Sequence, residues 1–146
     1  MRASPLEERF SNVVSSNGKY YTAGVGKALA SAFLMDFNPG KYCIWNNKTE
    51  MGFSVLGWPL PYESSDDPGT KYVKVLEKLK ELRDNIGKEL NFDFDQVDNF
   101  LHWIAAEEEG KNIIKNIVGE TALSETGIVL EASEEKFVQK TCRAEL

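Results

Sequence analysis

The sequence predicts a mainly α-helical protein that forms a single compact helical domain, with room for one short strand pair. Apolar residues recur at three- and four-residue spacing in several stretches, which is typical of amphipathic helices. The chain has 146 residues, of which 42% are hydrophobic and 27% are charged, the length and balance of one globular domain. No internal repeat or low-complexity tract divides it. We therefore treat residues 1–146 as one domain.

The first half of the chain is expected to form three short helices and one extended segment. The helices are predicted over residues 5–14, 27–37 and 48–56. Pro39 ends the second helix, because proline cannot continue the helical hydrogen bonds and restricts the residue before it. Residues 41–45 are apolar and are expected to be extended and buried. Gly57 fits the left-handed position that follows a helix.

The second half is expected to contain one long loop and the clearest helix. The loop covers residues 58–70, and the helix covers residues 71–89 with one continuous apolar stripe. Asp93 begins the next helix as its N-cap, and Gln96 completes a capping box. This helix is expected to run to about Glu109, where Gly110 ends or kinks it. Weaker patterns predict a helix over residues 111–118 and, in a C-terminal extension over residues 119–146, a strand over 128–130 and a helix over 133–143.

The acidic composition argues against bulk electrostatic binding of nucleic acid. The chain has 17 Lys and Arg against 23 Asp and Glu, which gives a net charge of −6. Such a charge repels a polyanion at long range. It leaves room for a local site, because screening confines the influence of a charge to about 10 Å.

The chain is expected to be a cytoplasmic protein without a membrane partner. No stretch approaches the roughly 18 consecutive apolar residues of a membrane span, and the first residues do not resemble a signal peptide. Cys43 and Cys142 lie far apart and do not form a CxxC pair. We expect two reduced thiols, with a single disulfide as the alternative.

The most specific feature is the tripeptide Gly24-Val25-Gly26, which opens the predicted helix at Lys27. The two glycines permit a tight turn and the close approach of another molecule to the backbone. The first N–H groups of a helix have no intrahelical acceptor and lie at the positive end of its dipole, so they can hold one phosphate. Lys27 adds a positive charge beside them. These four residues are therefore the predicted contacts to DNA phosphate.

Residues 24–31, GVGKALAS, resemble the helix-hairpin-helix DNA-binding motif. The order of segments that follows is similar to that of helix-hairpin-helix DNA glycosylases, in which a polar segment with a catalytic aspartate comes after this helix. Two departures stand out. Ala28 occupies the position of the lysine that many glycosylases use, and Asn46 and Asn47 occupy the segment of the aspartate. An amide cannot do the work of that carboxylate, so the resemblance implies a non-catalytic relative.

A wider resemblance covers residues 22–104. Their order of motifs looks like a domain that precedes the motor in some McrB-type restriction ATPases and related defence proteins. The shared motifs are the GVG helix, Lys-Tyr-x-Ile-Trp-Asn over residues 41–46, a helix ending in Leu56-Gly57, and the segment over residues 97–103. The resemblance implies a part in reading DNA. The ATPase itself is not in this sequence, which contains no GxxxxGK[ST] motif.

Three residues downstream of the hairpin are candidates to extend the contact surface. Trp45 is a candidate to stack on an exposed base, with core packing as the alternative, and Asn46 and Lys48 are candidates to enlarge the patch. His102 is the only histidine and no cysteine pair accompanies it, so no metal site is predicted. The sequence predicts no cofactor and no catalytic residue.

The sequence thus leads to one functional hypothesis and two alternatives. The first is a non-catalytic DNA-binding module that contacts phosphate through the GVG hairpin, as part of a restriction or defence system. The second is a protein-interaction or structural domain in which the hairpin is only architectural. The third is a divergent glycosylase that takes its carboxylate from elsewhere, such as Asp36.

Overall fold

The computed structural model describes residues 4–87 and 89–121, and these residues form six helices. The helices are α1 (Leu6–Val14), α2 (Lys27–Phe37), α3 (Asn47–Val55), α4 (Pro68–Gly87), α5 (Phe94–Ala106) and α6 (Glu108–Thr121). The mainly α-helical class is therefore confirmed. The strand predicted over residues 128–130, the helix over 133–143 and Cys142 lie outside the described residues.

Local sequence signals account for much of this arrangement. Helix α2 has the predicted bounds, and Gly57 has a φ of +67°, the left-handed conformation expected after α3. Asp93 and Gln96 form the predicted capping box of α5, because each side chain accepts a hydrogen bond from the backbone N–H of the other residue.

Helix α4 begins three residues before its predicted start, which shortens the loop over residues 58–70. The cause is a cap at Asp67, whose Oδ1 accepts hydrogen bonds from the N–H groups of Gly69 at 3.0 Å and Thr70 at 3.1 Å. Pro68 then occupies the first helical position, where a missing N–H costs nothing.

The prediction for the end of α5 is wrong. The helix ends at Ala106, and Glu107 takes an extended conformation with φ −86° and ψ 133°. Helix α6 begins at once, and Gly110 lies inside it rather than at a break. A Cβ at Gly110 would come 2.7 Å from the carbonyl carbon of Trp103, so glycine allows α6 to pack closely on α5.

The segment over residues 41–45 is predicted to be extended and buried. Tyr42, Cys43 and Trp45 are buried, whereas Lys41 is exposed in a turn, and the segment pairs with no strand among the described residues. Side chains satisfy its backbone instead. The N–H of Trp45 donates to Ser31 Oγ at 2.8 Å, and the Tyr72 hydroxyl donates to the carbonyl of Cys43 at 2.9 Å. The segment therefore joins α2 to α4 without a sheet.

The helices pack in pairs around one hydrophobic core. Helix α1 lies on α4, α3 lies on α5, α5 also contacts α6, and α2 contacts α1. A Cβ at Gly52 would come 2.6 Å from Leu101 Cδ2, so glycine permits the close crossing of α3 and α5. Phe10 and Tyr72 stack at 4.3 Å between α1 and α4. In the described ranges, every helix is too short or too polar to cross a membrane.

Candidate functional site

The hairpin is a tight turn on the surface of the protein. Gly24 has a φ of +89°, a conformation that favours glycine, and it is exposed. The N–H of Val25 donates to the carbonyl of Thr22 at 3.0 Å and closes the turn. Gly26 is the N-cap of α2 and has an extended backbone with φ −88° and ψ −175°. The hairpin therefore leads straight into the first turn of α2.

The N-terminus of α2 is open. The first hydrogen bond of the helix runs from the N–H of Ala30 to the carbonyl of Gly26 at 3.0 Å, so the N–H groups of residues 27–29 precede it and have no intrahelical acceptor. Gly26 provides no side-chain cap, and the first turn contains no acidic residue. A Cβ at Gly26 would meet no atom within 4 Å. Its backbone conformation suits any residue, so neither packing nor φ requires glycine there.

Each of the other helices in the described part of the chain compensates its positive end. Asn46 caps α3, Asp67 caps α4 and Asp93 caps α5 through their side chains. The remaining two, α1 and α6, carry acidic residues in their first turns. Such groups stabilise the positive pole of a helix dipole. Helix α2 has neither kind of compensation.

Lys27 does not extend from the rim of the hairpin toward solvent. Its Nζ forms an ion pair with the carboxylate of Glu50 on α3, and it lies 4.5 Å from the centroid of the Trp45 ring. The Lys27 side chain is 33% exposed. The Lys27 charge is thus largely balanced by Glu50, and the free contribution of the hairpin to an anion comes from its backbone.

Glu50 is the centre of a small polar cluster beside the hairpin. Its Oε1 accepts a hydrogen bond from the Tyr62 hydroxyl at 3.3 Å as well as from Lys27. Burial would raise the pKa of the Glu50 carboxyl, but the hydrogen bond and charge of Lys27 and the Tyr62 hydroxyl together hold it below its usual range. Burial, followed by the charge of Glu50, raises the pKa of Tyr62. Glu50 is therefore ionised at neutral pH.

The three downstream candidates occupy different environments. Trp45 is 3% exposed and lies in the core, so its ring has no free face for a base in this conformation. Asn46 has a structural role, because its Oδ1 accepts hydrogen bonds from the N–H groups of Lys48 at 2.9 Å and Thr49 at 3.1 Å. Lys48 is exposed.

The structure brings Glu50 and Tyr62 to the site, and sequence reasoning did not foresee either residue. Glu50 lies 23 residues from Lys27, and Tyr62 lies in the loop before α4. The ion pair of Lys27 with Glu50 joins α2 to α3, and the Tyr62 hydroxyl reaches the same carboxylate. No spacing rule connects them to the hairpin, so only the folded chain shows the cluster.

His102 lies at the junction of α5 and α6. Its Nε2 is 3.9 Å from Oε1 of Glu107, and its side chain is 37% exposed. Asp98, one turn earlier, has its pKa raised by burial, which outweighs the positive charge of Lys48. Within the ranges that the structure describes, no three metal-ligating side chains of His, Cys, Asp or Glu come together.

Comparison with family models, curated proteins and solved structures finds no match to this chain.

Proposed function

We propose that this protein is a non-catalytic DNA-binding module that contacts backbone phosphate through Gly24-Val25-Gly26 and the first turn of α2. One observation carries the proposal: α2 has an uncapped N-terminus without an acidic residue, and it opens to solvent behind a glycine that packing does not require. Backbone N–H groups at such a position donate to phosphate oxygens, and the helix dipole favours the negative charge.

The proposed contact positions a nucleic acid but does not read its sequence. A phosphate held by the N–H groups of residues 27–29 fixes the register of a nucleic acid without reading its bases. Lys19 and Lys48 are exposed, and we expect them to extend the contact. Lys27 contributes less than its position in the sequence predicts, because Glu50 balances its charge.

The net negative charge of the protein limits its affinity for DNA. A net charge of −6 opposes the approach of a polyanion, although charges more than about 10 Å from the bound phosphate are largely screened at 0.1 M salt. We therefore expect modest affinity that falls as salt increases.

We propose a non-catalytic protein because of the residues at two positions. Ala28 and Asn46 stand where the resemblance to glycosylases would place a lysine and an aspartate, and the Asn46 amide caps α3. The wider resemblance to the domain of McrB-type ATPases supports a setting in a restriction or defence system.

Substitution of Gly26 can lower the affinity for DNA without destabilising the fold, so it tests the proposal. Gly26→Asp places a carboxylate over the open N–H groups, where it caps α2 and repels phosphate. Aspartate is at least as good an N-cap as glycine, so the melting temperature should stay the same or rise. We expect affinity for a fluorescent duplex oligonucleotide at low salt to fall about tenfold or more, as loss of a charge-assisted contact of 1.5–3 kcal/mol implies.

Gly26→Asn is the matched control, because it caps the helix without adding a charge. It should reduce affinity less than Gly26→Asp and should melt at a similar temperature. The proposal fails if the wild-type chain binds neither duplex nor single-stranded oligonucleotide at low salt. It fails equally if Gly26→Asp binds as tightly as the wild type.

A second candidate function is a protein-interaction domain, and a separate observation favours it. Helix α2 exposes three large apolar side chains, Leu29, Phe33 and Phe37. Contiguous apolar surface of this kind marks interaction sites in soluble proteins. A stable complex with a protein and no retention of nucleic acid would favour this function over the first.

A further inference from the structure

Helix α2 presents an apolar ridge to solvent. Leu29, Phe33 and Phe37 follow one another at four-residue spacing, so they lie along one side of the helix. They are 44%, 62% and 82% exposed. The two phenylalanines alone expose on the order of 300 Å² of surface. Monomeric proteins rarely expose contiguous apolar patches larger than a few hundred Å².

A groove runs beside this ridge, between α1 and α2. Its volume is about 290 Å³, and Phe33 forms one of its walls. The other apolar residues that line it are Leu6, Phe10, Val13, Val25, Ala30 and Leu34. An apolar cavity of about 150 Å³ can hold a benzene ring, so the groove has room for a phenylalanine side chain.

Two opposite charges flank these features. Arg9 on α1 lines the groove, and Asp36 on α2 precedes the last residue of the ridge. Both side chains are exposed, and neither forms an ion pair with any residue in the described ranges. The same surface thus carries an apolar ridge beside Asp36 and an apolar groove beside Arg9.

We propose that this surface binds a second copy of the chain. In a twofold dimer each contact occurs twice, so a surface must complement itself. Here Phe37 of one copy enters the groove of the other, and Asp36 pairs with Arg9 across the interface. The ridge and both charges belong to α1 and α2, and Val25 of the hairpin completes the groove, so one continuous patch supplies a ridge, a groove and two opposite charges that can complement a second copy. A different partner would have to provide its own ridge and charge.

The small apolar area of the ridge limits the affinity of this dimer. A standard interface buries about 800 Å² on each partner, which is more than the ridge supplies by itself. The dimer is therefore weak, with a dissociation constant on the order of micromolar to tens of micromolar. The inference goes beyond the proposed function and does not depend on it, because the dimer contact uses side chains of α1 and α2, whereas the phosphate contact uses backbone N–H groups. The two surfaces adjoin each other, since Val25 lines the groove and Leu29 begins the ridge.

Sedimentation velocity of the whole chain over a range of concentrations tests the proposal. We expect the weight-average mass to rise toward twice 16.4 kDa as concentration increases. Phe37→Glu should raise the dissociation constant about tenfold or more, because it removes a central apolar contact. Met51→Glu is the matched control, because Met51 is also an exposed apolar residue, at 49%, but lies on α3. It should leave the association unchanged.

A charge swap provides the sharper measurement. Arg9→Glu and Asp36→Arg should each weaken the dimer, and the combined variant should restore it, because the pair then forms with reversed charges. The proposal is overturned if the chain stays monomeric at all concentrations, whether or not the monomer captures another protein through α2. It is also overturned if Phe37→Glu dimerises like the wild type, or if the combined variant is weaker than either single variant.

Discussion

The hydroxyl of Ser31 accepts a hydrogen bond from the backbone N–H of Trp45 at 2.8 Å and joins α2 to the buried segment before α3. The same Oγ lies 2.6 Å from the carbonyl of Lys27, to which it donates. Ser31 is fully buried, with 0% of its surface exposed. One side chain thus satisfies a buried N–H in the segment over residues 41–45, which has no strand partner among the described residues.

Ser31→Ala should destabilise the protein more than most conservative substitutions. Alanine fills nearly the same space but leaves the N–H of Trp45 buried without an acceptor, a loss of about 1–3 kcal/mol. Urea unfolding followed by tryptophan fluorescence measures it. Ser54→Ala, at an exposed serine on α3, should stay within about 0.5 kcal/mol of the wild type. Equal stability of Ser31→Ala and the wild type would show that this hydrogen bond contributes little.

The sequence predicts the helices of this protein better than its connections. Periodic apolar residues and local capping at Asp93 act within a few residues of one another, so their effects are visible in one dimension. The apolar pattern did not predict the start of α4 at Pro68, because the side-chain cap at Asp67 sets that start. The pairing of Lys27 with Glu50 joins two helices, and no local pattern encodes it. The sequence therefore predicted the start of α2 at Lys27, but it did not predict the ion pair that balances the charge of Lys27.

Gly52→Ala should test the close crossing of α3 and α5. The added Cβ would come 2.6 Å from Leu101 Cδ2, so either the side chain or the helix must shift. Overpacking of this kind costs about 1–3 kcal/mol, measured by urea or thermal unfolding. Combining it with Leu101→Val should cost less than the sum of the two single changes, because valine vacates part of the contested space. Strict additivity would contradict the contact.

Stability should depend on Asp67 at acid pH. Hydrogen bonds from Ser11, then from Thr70, lower the pKa of this carboxyl from 3.8 to about 2. A lowered pKa means that the ionised cap stabilises the fold fully above pH 3.8, and that this contribution is lost as pH falls toward about 2. Asp67→Asn keeps an oxygen for the cap but cannot ionise. The wild type should therefore lose more stability than Asp67→Asn between these two pH values.

Urea unfolding at the two pH values measures this difference. Glu63→Gln is the control, because it removes an exposed carboxylate that caps no described helix. Its pH dependence should follow that of the wild type more closely than Asp67→Asn does. If Asp67→Asn and the wild type lose stability in parallel, the lowered pKa of Asp67 does not act on folding.

Glu50→Gln should increase the affinity for nucleic acid if the hairpin binds phosphate. In the wild type the Glu50 carboxylate pairs with Lys27 beside the open N-terminus of α2. Glutamine keeps an oxygen for the Tyr62 hydroxyl but releases the charge of Lys27 toward a bound phosphate. One additional phosphate contact should steepen the slope of log K against log salt by about 0.9 on duplex DNA. Fluorescence anisotropy across a salt series measures both effects.

The control for this prediction is Glu81→Gln on α4. It also removes one negative charge and breaks a lysine ion pair, since Glu81 Oε2 lies 2.9 Å from Nζ of Lys78, but it does so away from the hairpin. If the two variants bind alike, the gain comes from net charge alone and Lys27 has no special position. A larger gain and a steeper slope for Glu50→Gln would locate the phosphate beside Lys27, because only a charge within a Debye length of the bound anion acts on it so strongly.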